Sequence, residues 1–150
     1  MRIGVPKEIK PQENRIGLTP DSVRTLVSEG HEVLVENNGG FEAGFDNDEY
    51  KNAGAKIIEK ATDIFYDAEI IVKVKEPQKG EVEMIKENQI VYTYLHLAAA
   101  KELTEGLVKS KSINIAYETI TDDNGRLPLL APMSAVACLL YTSPSPRDNK

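Results

Sequence analysis

Three polar side chains set far apart in the chain could do chemistry together: Arg15, Lys75 and His96. A planar guanidinium grips a carboxylate through two parallel hydrogen bonds. An ammonium polarises a carbonyl oxygen, and an imidazole, with an unperturbed pKa of about 6.5, moves protons at neutral pH. If they meet, they form a pocket for a small anion with a polar group on the next carbon, such as a 2-oxo or 2-amino acid. Each also has a plain alternative. Arg15 can be a solvated loop charge, Lys75 can snorkel to water, and His96 can cap a strand end by bonding a nearby carbonyl. The elements that carry them decide.

Short β-rich runs lie at Arg2–Pro6, Glu32–Glu36, Ile70–Lys75, Gln89–Tyr94 and Ser112–Ala116. Helical patterns separate them. Thr19 before Pro20 is an N-cap with proline at the first helical position, followed by Val23, Leu26 and Val27 on one face and Gly30 at the end. Asp46-Asn-Asp-Glu starts a second helix, with Tyr50 and Ala53 inward and Gly54 as its stop. Ala61–Tyr66, Gly80–Lys86 and Ala100–Lys109 predict three more. Strands joined by single helices imply right-handed βαβ crossovers. The expected fold is α/β, a doubly wound, mostly parallel sheet.

In such a sheet, ligands sit off the carboxyl ends of the strands. The connection after the first strand runs from Lys7 to Leu18, about twice the usual βα length of roughly 2–6 residues. Long loops at that edge carry binding groups, and Arg15 sits within this one. Lys73 and Lys75 share a parity at the end of the third run, and Pro77 stops the pairing beyond them. Lys73, one pleat deeper, is expected to be structural. His96 follows Tyr94 by two residues, where the fourth run ends. Three separate segments thus aim a guanidinium, an ammonium and an imidazole at one edge.

The remaining segments are quieter. Thr119 to Pro128 predicts a small hairpin turning at Asp123-Asn124-Gly125. Leu129 to Ala137 leads into another helix, with Met133 as core and Ser134 near a start where a hydroxyl and free N–H groups could meet a polar ligand edge. No Gly-x-Gly-x-x-Gly occurs, and Asn38-Gly39-Gly40-Phe41-Glu-Ala-Gly44 has the wrong spacing for one. His31 falls at the start of the second strand, on the edge opposite His96. No His, Asp and Glu cluster has metal-ligand spacing.

Composition sets the outer limits. A chain of 150 residues has room for one domain with a real core. A net charge of −6, with 18 basic and 24 acidic residues interleaved, argues against a nucleic-acid surface. No apolar run reaches membrane-spanning length, and the opening Met1-Arg-Ile-Gly-Val enters a strand rather than a signal peptide. Cys138 is the single cysteine, so a reducing cytoplasm is expected.

Four ordered stretches closely resemble the N-terminal half of bacterial alanine dehydrogenases. They are Gly4-Val-Pro-Lys-Glu-Ile-Lys with Glu13-Asn-Arg15-Ile-Gly-Leu-Thr-Pro20, Val72-Lys-Val-Lys75-Glu-Pro77, Thr93-Tyr-Leu-His96-Leu-Ala-Ala99, and Leu127-Pro-Leu-Leu-Ala-Pro-Met133-Ser134. The resemblance runs over residues 1–137 and implies an NAD-dependent oxidoreductase that deaminates L-alanine reversibly to pyruvate and ammonium. It implies that Arg15 and Lys75 bind substrate, His96 is the catalytic acid/base, Met133 lines the pocket and Ser134 contacts NAD. A homohexameric parent is implied, with the glycine-rich NAD fingerprint and a water-activating aspartate in a second domain. Ala135 departs from the acidic residue usual after Met-Ser. Residues 138–150 have no place in the resemblance; they resemble adapter sequence read through as codons, and their Ser-Pro-Ser-Pro run predicts disorder. The fragment alone is expected to be inactive. Two alternatives stand beside this reading. One is the N-terminal domain of the alpha subunit of a proton-translocating NAD(P) transhydrogenase, and the other a non-catalytic small-molecule-binding domain.

Overall fold

Six short runs, each carrying Ile or Val, pair side by side in the computed structural model, which describes residues 1–135. Residues 136 and 137, Cys138 and the 138–150 tail lie outside the described residues. The strands are β1 (Arg2–Val5), β2 (Glu32–Glu36), β3 (Lys56–Ile58), β4 (Ile70–Val72), β5 (Ile90–Thr93) and β6 (Ile113–Ala116). All adjacent pairs are parallel, in the order β3-β2-β1-β4-β5-β6. That is a doubly wound sheet, and its order reverses between β1 and β4, the place where such sheets open a crevice at their carboxyl ends.

The helices are α1 (Pro20–Ser28), α2 (Asn47–Asn52), α3 (Ala61–Asp67), α4 (Lys79–Val82) and α5 (Lys101–Ser110). Thr19 caps α1 by accepting the Ser22 N–H, and Asp46 and Glu49 form a reciprocal capping box on α2. Strand alternation splits the core in two. Ile3, Val5, Val33 and Val35 join Val23, Tyr50 and Ala53 on one face. Leu34, Ile71 and Val91 join Ile64, Phe65 and Leu107 on the other. Each fully buried aliphatic side chain contributes about 1.5–3 kcal/mol. On the second face β1 presents Gly4, where an added Cβ would lie 2.5 Å from Ile64 and 2.8 Å from Ala68. Only the absent side chain lets α3 lie this close to β1.

Four expectations are corrected. β3 was not anticipated: it is three residues long, at the sheet edge, and half-buried at Ile57 and Ile58. β4 ends at Val72 rather than Lys75, because the chain bends at 74–75. α4 stops at Val82, short of Lys86. The hairpin expected at 119–128 is a turn without flanking strands. There the Asp122 carboxylate accepts the N–H groups of Asn124 (2.9 Å) and Arg126 (2.8 Å).

The described residues divide into two units, Met1–Ala116 and a second that begins at Tyr117. In the second, a 3-10 turn spans Tyr117–Thr119, and residues 131–135 are helical. Among the described residues, no helix is long and apolar enough to cross a membrane.

Candidate active site

The loop after β1 is fastened to the end of β4 at three points. Gly17 lies so close that a Cβ there would stand 2.6 Å from the Val72 carbonyl oxygen. Lys10 pairs with Glu76. Between them, Glu8 turns inward. One carboxylate oxygen accepts the Val74 N–H at 2.6 Å and the Lys75 N–H at 3.3 Å. The other accepts from the Lys73 ammonium at 3.1 Å, which also donates to Glu81 at 2.8 Å. Lys73 has no exposed side-chain surface, and Glu8 and Glu81 have 2% and 3%. A lysine this deep is tolerated because it faces two carboxylates. The structural role expected for Lys73 is what the geometry gives.

Above this buried layer stands Arg15, half exposed. Its Nε donates to one oxygen of Glu13 at 2.8 Å and its Nη2 to the other at 2.7 Å. The Arg15 peptide N–H adds a third bond at 3.0 Å. The hydrogen bonds to Glu13 raise the guanidinium pKa further, helped by the fields of Tyr94 and Glu8. Arg15 in turn holds the Glu13 carboxyl below the usual carboxylate range, with Lys75 contributing at longer reach. Burial works against ionisation of Glu76, yet Lys10 and Lys75 keep its pKa low. Lys75 is partly exposed and so lies in the field of both carboxylates, unlike Lys73 of the same parity. The two lysines of shared parity thus differ in depth, one sealed and one partly open to water.

His96 completes the edge. Leu95 is buried in the core, and at His96 the backbone turns left-handed (φ 50°), leading into the 3-10 turn Leu97–Ala99. A non-glycine residue is uncommon there, though histidine is enriched among those that do occur. The imidazole stacks on the buried Tyr94 ring, with centroids 6.1 Å apart and planes 13° from parallel. Arg15, Lys75 and His96 therefore follow β1, β4 and β5, three adjacent strands at the order reversal. Glu13 joins the first two electrostatically, and Tyr94 bridges from Arg15 to His96. A guanidinium, an ammonium and an imidazole are thus carried past the ends of three neighbouring strands.

The other expected residues belong to the second unit. Met133 is 37% exposed. Ser134 is not a free helix start: its N–H donates to the Leu130 carbonyl at 3.1 Å, one turn into the helix. His31 precedes β2, at the amino edge of the sheet, away from His96. No group of three metal-ligating side chains occurs among the described residues. The sheet has the strand order that binds dinucleotides, but the residues do not fit one. The β1–α1 connection lacks the glycine fingerprint, is filled by its own backbone at Gly17, and places proline first in α1. Sequence reasoning missed the part played by Glu8, Glu13 and Tyr94. Only Glu13, two residues before Arg15, gave a local hint.

The family described as alanine dehydrogenase/PNT, N-terminal domain, matches residues 4–137. The chain belongs to this family. Among its relatives is an alanine dehydrogenase of Staphylococcus epidermidis, 51% identical over 142 residues, which are 95% of this chain and 38% of that protein. The chain thus spans about two-fifths of the length of the curated relatives it matches. A solved L-alanine dehydrogenase superposes with a TM-score of 0.90 at 51% identity, over 93% of this chain and 38% of that one. The transhydrogenase of Sinorhizobium meliloti is a more distant structural match, with a TM-score of 0.75 at 26% identity over 80% of this chain and 36% of its own. Both carry the family's sheet.

Proposed function

We propose that this chain is the substrate-binding part of an NAD-dependent alanine dehydrogenase. The whole protein would interconvert L-alanine with pyruvate and ammonium. The observation that carries the proposal is the cation pair around Glu13, set beside the Tyr94–His96 stack where the strand order reverses. Arg15 takes the substrate carboxylate, sharing or exchanging the edge that Glu13 now grips. Lys75 polarises the carbonyl oxygen of pyruvate, and His96 moves the proton. Ser134 is the contact this chain offers to NAD. The dinucleotide itself is assigned to the rest of the parent protein, because the β1–α1 connection does not fit it. A cytoplasmic homohexamer is the assembly proposed for that parent.

The 26% identical transhydrogenase structure favours one second reading, in which the sheet serves a transhydrogenase subunit. Assay of the full-length protein separates the two. Reductive amination of pyruvate by ammonium and NADH supports the dehydrogenase, and its absence overturns it. In an active enzyme, His96→Ala is expected to lower turnover by about 10²–10⁴-fold, far more than the small loss of stability at this left-handed, ring-stacked position explains. Undiminished turnover would remove the role given to His96.

A further inference from the structure

We infer that Glu8 is a positioning residue for Lys75: a buried carboxylate that replaces the sheet ladder where β4 ends and fixes the backbone from which the substrate lysine reaches out. The inference rests on the assignment of Lys75 to the substrate.

An ammonium on a flexible stem is placed only as well as its own peptide is placed. β4 ends at Val72, and although β5 still accepts the Lys73 N–H at Tyr92 (3.0 Å) and donates from Tyr94 to the Val74 carbonyl (3.3 Å), the chain bends at 74–75 and that pairing does not reach the Lys75 peptide. Two side chains take over. Glu8 accepts the N–H groups on both sides of the bend, from Val74 and Lys75. Thr93, itself fully buried, donates its hydroxyl to the Lys75 carbonyl at 2.9 Å. The Lys75 peptide is thus held at both its donor and its acceptor.

Glu8 is in turn immobilised from behind by the Lys73 ammonium, which Glu81 anchors from the far side. Glu81 spends its other oxygen on the Gln78 N–H at 2.7 Å, the turn that follows Lys75. Glu8 also belongs to the loop that carries Arg15. Arg15 itself is held through Glu13, and Glu8 is the carboxylate that serves the Lys75 side. Its full set of acceptor contacts requires both oxygens. A glutamine keeps the shape but offers one acceptor oxygen and turns an NH₂ toward Lys73 or toward the peptide N–H groups.

The test is a double-mutant cycle in the full-length enzyme, reading kcat/KM for pyruvate together with the melting temperature. Glu8→Gln is expected to cost about 10²-fold in the native background, the scale of an ångström misplacement of a binding group. In a Lys75→Ala background it is expected to cost less than about twofold, because the group it positions is gone. Equal losses in both backgrounds, or no loss in the native one, overturn the inference. Thr93→Val releases the Lys75 carbonyl without touching the buried ions. It provides the deciding arm if Glu8→Gln does not fold: its loss should also vanish beside Lys75→Ala, and a loss that persists there overturns the inference. Lys75→Ala with undiminished kcat/KM would overturn the substrate assignment itself, and the positioning role with it.

Discussion

Lys73→Met removes the one cation between two carboxylates that have almost no contact with water. The native arrangement has an ammonium at 0% exposure, 3.1 Å from Glu8 and 2.8 Å from Glu81, whose side chains are 2% and 3% exposed. Methionine fills much of the same volume, so packing loss is small and the electrostatic term dominates. Breaking a buried pair by removing one partner costs about 3–5 kcal/mol. The backbone N–H bonds that Glu8 and Glu81 keep soften this cost without cancelling a net buried double negative charge. Because a domain has only about 5–15 kcal/mol to lose, the variant should be near its unfolding threshold at room temperature. Urea unfolding followed by far-ultraviolet circular dichroism measures the difference. Replacing Glu8 and Glu81 by leucine in the same chain should recover only part of it. The Val74, Lys75 and Gln78 N–H groups would then be buried without their acceptors. A loss below about 1 kcal/mol in Lys73→Met would refute the account of a paired, buried ammonium.

Burial, with a smaller push from Glu49, raises the Tyr50 phenol to about 12. The unfolded chain ionises near 10, so the folded state holds its proton longer and stability falls as pH rises from about 10 to about 12. That fall is about 2–3 kcal/mol at 1.36 kcal/mol per unit. Tyr50→Phe should lose this alkaline slope and cost about 1 kcal/mol at neutral pH, because the Leu18 carbonyl loses its 2.9 Å donor. An identical slope in both proteins, from unfolding titrations against pH, would exclude Tyr50 as its source. Gly17→Ala would drive a Cβ to 2.6 Å from the Val72 carbonyl, backbone against backbone. A melting-temperature drop matching about 1–3 kcal/mol should accompany a weaker grip on pyruvate, read as a raised KM; an unchanged melt would mean the loop is not seated on β4.

The strands of the interior were legible because Val and Ile recur with period two or run continuously, and Val5, Val33, Val35 and Val91 are all fully buried. The helix starts were legible because Thr19 and Asp46 are side chains that cap. β3 was not, since three edge residues carry too little pattern to outweigh the surrounding polar sequence. The end of β4 was hidden for a different reason. Nothing local says that Lys73 is paired, as its partners stand 65 and 8 residues away, and the former belongs to a loop with no periodicity at all. For the same reason the contacts of Glu8 could not be read from the sequence, whereas the places of Arg15, Lys75 and His96 beyond strand ends could. Their positions relative to strand ends are a property of the sequence, but carboxylate partners are a property of the packed fold.

Those partners form two layers with different duties. The inner one, Glu8–Lys73–Glu81, is shut away from water, so exchanging its members costs several kcal/mol and its geometry is fixed. The outer one, Glu13–Arg15, has a guanidinium that is 49% exposed. Its Glu13 partner is only 8% exposed and accepts through both oxygens, so the pair is firmer than a surface pair, while half of the Arg15 side chain still meets water. Had the arginine been paired at the inner depth, a substrate could not compete for it. Had Lys75 depended on an outer pair for its place, its reach would drift with every exchange. The sheet puts the sealed layer beneath and the half-exposed guanidinium above at the same strand reversal, so whatever meets Arg15 from solvent leaves the frame below undisturbed.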